Sequence, residues 1–412
     1  MRTCRHLLLL AAVAAAILAG PAQRASAQSE NKPPPSDGAV RIGLILDMSG
    51  PYSGLTGLGS ATAARMAVED FGGRVLGAPI EVLVADHQNS TNRAGTIARE
   101  WFANQNVDAI MDVSGSSEAL IVQAIGATRN RIVSVSAAGA VRLSNEACTP
   151  TSVQYVSNTH AVAQTLGGAL VARGNDSWFF ITVDYSFGYD LEKDTTEVVE
   201  AKGGKVLGQA RHPLGTRDFG SYLAQAQESR AKVIGLANAG ADMTGTIQQA
   251  AKLEMIGKQA FAGLAMRVNH VDMLGMKTTQ GMLLSEAFYW DLNESTRAWS
   301  TRFFDRVKKM PNSLQAGVYS STMHYLQAVA RAGTDATEPV MAAMRTTPID
   351  DFFAHNGQIR ADGLMVHDMH LFEVKTPAQS RGPWDYLRLV ATMPGPQVFG
   401  PLSQSKCPLV QR

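Results

Sequence analysis

The chain has 412 residues, of which 45% are apolar, and its 37 basic and 36 acidic residues leave a net charge of +1. This length exceeds the usual size of one domain, so two domains or lobes are expected. The balanced charge and the lack of a basic run argue against nucleic acid as a partner.

The N-terminus has the features of an export signal. Arg2 and Arg5 precede an apolar stretch, Leu7 to Gly20, and Ala25-Ser26-Ala27 matches a small-x-small cleavage site. A membrane anchor is the alternative, but a span needs about 20 apolar residues. We therefore predict a signal peptide over residues 1–27, a flexible proline-rich lead-in over 28–39, and an exported, soluble mature chain.

Cleavage after residue 27 leaves two cysteines, Cys148 and Cys407. Exported chains with an even number of cysteines commonly pair them, because the compartment is oxidising. We predict a Cys148–Cys407 disulfide, with two separate thiols as the alternative.

Apolar runs of strand length alternate with segments of helical periodicity along most of the chain. The first series of strand-like runs is at 40–47, 79–86, 107–113 and 131–137, and the second is at 177–184, 204–210, 231–238 and 259–263. Alternation of this kind indicates parallel sheets covered by helices on both faces. The fold class predicted is therefore α/β, with two doubly wound lobes.

Turns rich in small residues follow three strands of the first series, at 49–54, 114–117 and 136–139. Ligands of open α/β sheets bind at such carboxyl ends, where helix N-termini and hydroxyl groups can hold a carboxylate. Ordinary helix capping explains any one of them, since Ser116 begins a helix with Glu118 in its first turn. Three such turns within one series of strands favour binding.

Signals for an enzyme or a metal site are weak. The stretch 57–62, "GLGSAT", departs from a dinucleotide fingerprint at Thr62, although Asp86 ends the second strand. His367 and His370 are three apart in a strand-like segment and therefore point to opposite faces. No nucleophile and base can be paired, so we predict no enzyme, no cofactor and no metal.

Five motifs in order give the chain a family resemblance. They are "RIGLILDMSGPYSGLTGLGSATAARMAVEDFGG", "DAIMDVSGSSEALIVQAI", "DYSFGYDLEKD", "HPLGTRDFGSYLAQAQESRAKVIGLANAGADMTGTIQQAAKLEM" and "GVYSSTMHYLQAVARAGT". With these motifs the chain resembles the type I periplasmic solute-binding proteins of the branched-chain amino acid (leucine-binding) class, which serve ABC importers. The resemblance covers essentially the whole mature chain.

The resemblance implies two lobes joined by a three-segment hinge. It places the crossovers near Tyr155–Thr159, Ser285–Phe288 and Gly357–Val366. Lobe 1 would then comprise 40–156 and 287–356, lobe 2 would comprise 157–286 and 357–400, and 401–412 would form a C-terminal tail.

Matching motifs also imply ligand contacts on both lobes. Those of the first lobe are Tyr52, Ser114, Gly115, Ser116, Ser117, Ala137, Ala138 and Gly139. Those of the second are Tyr185, Phe187, Asn238, Ala239, Gly240 and Met266. We expect the turns at 114–117 and 137–139 to donate hydrogen bonds to a ligand carboxylate, with Tyr52 covering it.

The family's amino-acid binders carry an acid for the ligand's ammonium in a turn of the second lobe. The corresponding stretch here, 263–268 ("GLAMRV"), has no acid and offers Met266, although Asp184 or Asp242 could substitute. A buried ammonium without a counter-charge is strongly disfavoured. We therefore expect an aromatic or other organic acid, with an amino acid as the alternative.

The resemblance implies a periplasmic, monomeric protein that captures a small ligand and presents it to an ABC transporter permease. A ligand-sensing receptor of the same fold is the alternative function.

Overall fold

The computed structural model describes residues 35–410. The predicted signal peptide (1–27), the first part of the lead-in (28–34) and the last two residues of the tail lie outside this range. None of the helices between residues 35 and 410 has the length and apolarity that crossing a bilayer requires.

The strands follow the predicted alternation through the first two-thirds of the chain. In order they are β1 (Val40–Leu46), β2 (Arg74–Val75), β3 (Ala78–Asp86), β4 (Ala109–Val113), β5 (Ile132–Val135), β6 (Ser152–Gln154), β7 (Ser177–Val183), β8 (Lys205–His212), β9 (Val233–Ala237), β10 (Ala260–Gly263), β11 (Leu283–Glu286), β12 (Gln358–Ile359), β13 (Met365–Val366), β14 (Met369–Val374) and β15 (Leu387–Met393).

Helices connect most of these strands. They are α1 (Gly57–Phe71), α2 (Thr91–Asn104), α3 (Ser116–Thr128), α4 (Thr159–Val162), α5 (Gly168–Ala172), α6 (Ser186–Ala201), α7 (Gly220–Glu228), α8 (Gly240–Lys252), α9 (Val268–Leu274), α10 (Met276–Thr279), α11 (Glu294–Val307), α12 (Ser313–Ala332), α13 (Thr337–Thr346) and α14 (Gly395–Val398). A π-helical stretch, Ala163–Gly167, joins α4 to α5.

The first lobe is built on a six-stranded sheet in the order β2-β3-β1-β4-β5-β6. Strands β3, β1, β4, β5 and β6 run parallel, and the short β2 pairs antiparallel with β3. The central strands are apolar runs that are buried almost throughout, as a sheet covered on both faces requires. The strand order reverses at β1, which places a topological switch point between β1 and β4.

The second lobe is built on a four-stranded parallel sheet in the order β10-β9-β7-β8. Every residue of β7 and β9 is buried. Here the order reverses at β7, so the second switch point lies between β7 and β9. Both lobes are doubly wound, and the predicted fold class is confirmed.

A three-stranded antiparallel sheet, β11-β14-β15, packs against the second lobe. Its residues Leu283 and Leu371 join the same buried cluster as Trp178 and Phe180 of β7. β14 overlaps the strand-like segment of His367 and His370, and β11 was not expected. The non-alternating C-terminal region therefore adds a sheet of its own to this lobe.

The chain passes between the lobes three times. The chain leaves the first lobe after β6 and returns to it after β11, where α12 packs along α1. It enters the second lobe again after the β12–β13 hairpin. This hairpin is bridged to β6 through Leu364 and Gln154. The exact positions of the crossovers and the lobe limits stay predictions. The predicted disulfide is present, with the Cα atoms of Cys148 and Cys407 5.6 Å apart.

Candidate functional site

A cavity that is partly open to solvent lies where the carboxyl ends of the two parallel sheets face each other. Turns after β1, β4 and β5 form one wall, and turns after β7, β9 and β10 form the opposite wall. Both switch points open into this space, which is where ligands bind in open α/β sheets.

Nine of the predicted contact residues line the cavity. They are Tyr52, Ser114, Gly115, Ser116, Ala137, Gly139, Tyr185, Phe187 and Ala239. They come from both lobes, so the two halves of the predicted site do meet across one space.

Three of the predicted residues lie beneath the wall instead. Ala138 and Met266 are packed in the apolar cores. Asn238 is fully buried, and its amide Nδ2 contacts His212 Nε2 at 3.1 Å and donates to Thr246 Oγ1 at 3.3 Å. The side chains of these residues support the wall and do not line the cavity.

The remaining two predicted residues, Ser117 and Gly240, lie where the lobes touch each other. Ser117 Oγ is 3.0 Å from Ser186 Oγ of the second lobe. Gly240 has φ +58°, and a Cβ added there would lie 2.4 Å from the Pro51 carbonyl oxygen of the first lobe. Both residues therefore belong to the contact between the lobes.

Further bonds hold the lobes together beside the cavity. The Tyr52 and Tyr185 hydroxyls are 2.7 Å apart. Arg142 makes a bidentate pair with Asp190 of α6, at 3.1 and 2.8 Å. Burial raises the pKa of both tyrosines well above the ordinary value, so both hydroxyls are protonated at neutral pH. The structure therefore has the two lobes closed over the cavity.

The serine hydroxyls of the first-lobe turn are used within the protein. Ser114 Oγ accepts a hydrogen bond from the Asp47 N–H and lies 3.1 Å from His87 Nε2. Ser116 Oγ accepts from the Ala140 N–H at 3.1 Å. These hydroxyls brace neighbouring turns, a role that the sequence pattern did not indicate.

Asp112, in β4, fixes the third small-residue turn. Its Oδ1 accepts from the N–H groups of Ser136 and Ala137, both at 3.0 Å. The Ala137 N–H, expected to donate to a ligand, is therefore engaged within the protein. Burial raises the pKa of Asp112 to about 6, although these hydrogen bonds lower it.

Glu118 lies over the start of α3. Gly115 has φ +90°, and a Cβ added there would lie 2.3 Å from Glu118 Oε2. Burial raises the pKa of this carboxyl, and the nearby Asp47 raises it further. A carboxylate from the protein itself therefore lies at the helix N-terminus that the sequence assigned to a ligand carboxylate.

Five polar residues of the cavity wall were missed, among them Arg267 and Ser157. Arg267 follows β10, and its Nη1 donates to the Ser285 carbonyl at 2.8 Å and lies 3.4 Å from Glu286 Oε2. Ser157 lies on the first crossover. Arg267 belongs to the "GLAMRV" stretch, whose only interpreted feature was the missing acid.

Other missed residues come from several different elements. They are Leu55, Thr56, Asn158, Thr159, Val162, Leu191, Leu264, Ala265 and Leu314. Most are apolar, and nothing in the sequence separates them from core residues. Together with the three aromatic rings they make the wall predominantly apolar.

Few charged side chains reach the cavity wall. Among residues 35–410, Arg267 is the charged residue that lines the cavity, and no carboxylate does.

The described residues also contain no cluster of three or more side chains arranged for a metal. His367 Nε2 is 2.6 Å from the Val156 carbonyl oxygen, and His370 Nδ1 is 2.9 Å from Thr392 Oγ1, so both have protein partners.

Two lobes that close on one cavity at paired switch points define a type I two-lobed binding protein. A family model described as "Periplasmic binding protein" matches residues 39–382, and the chain belongs to this family. It is a periplasmic solute-binding protein of the ABC-transporter type. The resemblance predicted from the sequence is confirmed.

Solved structures are similar over nearly the whole chain. A periplasmic binding protein from Burkholderia mallei is 46% identical, with 90% of this chain and 99% of that chain covered and a TM-score of 0.89. A branched-chain amino acid ABC transporter periplasmic ligand-binding protein from Burkholderia xenovorans LB400 is 34% identical, with 90% and 100% covered and a TM-score of 0.81.

A third similar structure is a solute-binding protein from R. palustris in complex with benzoate. It is 18% identical, with 87% of this chain and 97% of that chain covered and a TM-score of 0.79, which shows the shared fold. Comparison with curated proteins gave no match.

Proposed function

We propose that this protein captures a small carboxylate-bearing ligand, an aromatic or other organic acid, between its lobes and delivers it to the permease of an ABC importer. It acts outside the cytoplasm as a monomer, after removal of residues 1–27. The observation that carries this proposal is the character of the cavity wall, which residues 35–410 build from aromatic and aliphatic surface, one arginine and no carboxylate.

An α-amino acid fits this wall poorly. A buried ammonium needs an anionic partner, because an uncompensated charge in a closed cavity is costly. Asp184 is bonded to the Tyr189 hydroxyl, and Asp242 accepts from the Gly215 N–H at 3.1 Å. Neither residue lines the cavity. The two acids that could have substituted for the missing one are therefore committed elsewhere.

The apolar part of the wall suits a ring or a short hydrocarbon body. Phe187 and Tyr185 lie with their ring centroids 6.2 Å apart, and Leu55, Val162 and Leu264 complete the surface. Burial of an apolar ligand body contributes about 25 cal/mol for each Å² removed from water. The fold accommodates such ligands, since the R. palustris relative holds benzoate.

Capture proceeds by hinge closure without covalent chemistry. The ligand enters between separated lobes, and closure forms the contacts that join Tyr52 to Tyr185 and Arg142 to Asp190. The permease then recognises the closed form. Ligand affinity and lobe closure are thus coupled, because these interlobe bonds form only when the walls meet.

A thermal-shift screen of the mature chain tests the proposal. The panel contains aromatic acids, oxo acids, branched-chain amino acids, amides and ureas. A ligand at 100 times its Kd adds about 2.7 kcal/mol of stability. We expect at least one organic acid to raise the melting temperature more than leucine or valine does. Stabilisation by amino acids alone would contradict the proposal.

A further inference from the structure

Arg267 has hydrogen-bonding capacity that the protein does not use. Its side chain is 7% exposed and lines the cavity. Both of its protein contacts, to the Ser285 carbonyl and to Glu286, involve Nη1. Within residues 35–410, Nε and Nη2 have no acceptor from the protein. Both nitrogens reach the open space of the cavity, where a ligand can supply the acceptor.

Glu286 pairs with the arginine and holds it in place. Glu286 is buried, its Oε2 accepts from Ser313 Oγ at 2.6 Å, and it lies 3.4 Å from Arg267 Nη1. Burial raises the pKa of Glu286 to about 7, while Arg267 lowers it. The guanidinium is thus anchored on one side and leaves two N–H groups in a fixed plane, the geometry that a carboxylate accepts in bidentate fashion.

The start of α3 is a poorer place for the same group. The Ala137 N–H already donates to Asp112 Oδ1, and Ser114 and Ser116 Oγ accept hydrogen bonds from the Asp47 and Ala140 N–H groups. The Glu118 carboxylate lies over Gly115 at this helix end.

We propose that Arg267 is the residue that binds the ligand's carboxylate, and that it selects acids over their neutral analogues. The ligand's body then extends from the second-lobe wall toward Tyr52 and Phe187. This assignment rests on the proposed function, because it takes the ligand to be an organic acid.

A pair of ligands that differ only in charge distinguishes recognition of the carboxylate from recognition of the ligand's shape. For the best acid of the screen, calorimetry compares the acid with its primary amide, which has the same body and no charge. In the Arg267→Lys protein the charge remains but the planar fork is lost. We expect acid affinity to fall about 10-fold and amide affinity to change less than about 3-fold.

A second variant removes the charge of Arg267 without leaving Glu286 as an unpaired buried carboxylate. Arg267→Gln combined with Glu286→Gln deletes both members of the ion pair, which avoids an unpaired buried carboxylate. Acid affinity should fall about 10- to 100-fold, and the preference for acid over amide should disappear. If the double variant does not fold, as judged by its thermal transition, the lysine variant decides alone.

Glu118→Gln is the matched control on the other wall. We expect it to change acid affinity less than about 3-fold. The proposal is overturned if the Arg267 variants keep the full preference for acid over amide, or if Glu118→Gln strengthens acid binding 10-fold or more. If no acid binds the unmodified protein, the proposed function itself fails, which is a different result from either of these.

Discussion

Asp112 shows how one buried carboxyl shapes the cavity. It is fully buried in β4 and ties the Ser136 and Ala137 N–H groups into a turn that forms part of the wall. Burial raises its pKa to about 6, from an ordinary value of 3.8. The native protein therefore holds a proton on this group at a pH where the unfolded chain has already lost it.

The free energy of unfolding of the Asp112→Asn protein, relative to that of the unmodified protein, should increase as the pH rises from about 4 to about 7. The raised native pKa contributes stability below the unfolded pKa, and this contribution is lost as the pH rises through the native value. A shift of roughly two pH units corresponds to about 3 kcal/mol. Denaturant unfolding of both proteins across this range checks the prediction. A difference between them that does not change with pH would contradict it.

The roles of individual side chains were the feature of the site that the sequence predicted least well. The sequence located the small-residue turns correctly, but the directions of the Ser114 and Ser116 hydroxyls depend on Asp47 and Ala140, which come from other segments. Arg267 was visible in its motif, yet only the fold shows that it faces the cavity. Tertiary partners, which a linear pattern does not reveal, decide whether a polar group is available to a ligand.

At the scale of elements, the turn that starts α8 controls how closely the lobes approach. The Ala241 N–H donates to the Pro51 carbonyl oxygen at 3.0 Å. Gly240 has φ +58°, and an added Cβ would lie 2.4 Å from that oxygen and 2.9 Å from Tyr52 Cδ1. Glycine thus permits both the left-handed conformation and the contact between the lobes.

Gly240→Ala should weaken ligand binding about 10-fold or more, because its methyl group collides with Pro51 only in the closed form. Gly73→Ala is the matched control: Gly73 has φ +70°, and nothing lies within 4 Å of its added Cβ. Both variants bear backbone strain of about 1–2 kcal/mol. Calorimetry with the best acid of the screen should show a loss in the first variant only, and equal affinities would count against the role of this turn.

Strands and helices in the regions of regular strand–helix alternation were predicted well from the sequence. Short strands outside those regions were not. Apolar runs such as β7 and β9 are buried on both faces, so their composition alone marks them as central strands. The short β2 and β11 lack such a run, and β11 is a strand because β14 pairs with it. Short strands of this kind depend on a partner far away in the sequence.

Over the whole molecule, the disulfide fixes the C-terminal tail beside the first lobe. Cys148 and Cys407 are 259 residues apart, and Cys407 is fully buried. The neighbouring Lys406 N–H donates to Asn145 Oδ1 at 2.8 Å, and Arg360 Nη1 donates to the Gly400 carbonyl at 2.8 Å. The tail therefore contacts the first lobe at Asn145, and the residue before it contacts the third crossover at Arg360.

Replacing both Cys148 and Cys407 with serine should lower the stability of the protein. A loop of this length gives a stabilisation of about 5 kcal/mol in the chain-entropy model, as an upper bound. Thermal unfolding of the variant, compared with the oxidised and the reduced unmodified protein, measures the effect. The variant and the reduced protein should melt together, several degrees below the oxidised one. Identical transitions for all three would show that the bond does not stabilise the fold.

The central claim is that the closed cavity selects a carboxylate without an ammonium. It combines an arginine, an apolar wall and the lack of a lining carboxylate among the described residues. The most direct measurement is calorimetry of the mature protein at neutral pH with the best organic acid of the screen, with leucine and with valine. The acid should bind at least about 10-fold more tightly than either amino acid. Tighter binding of leucine or valine would contradict the claim.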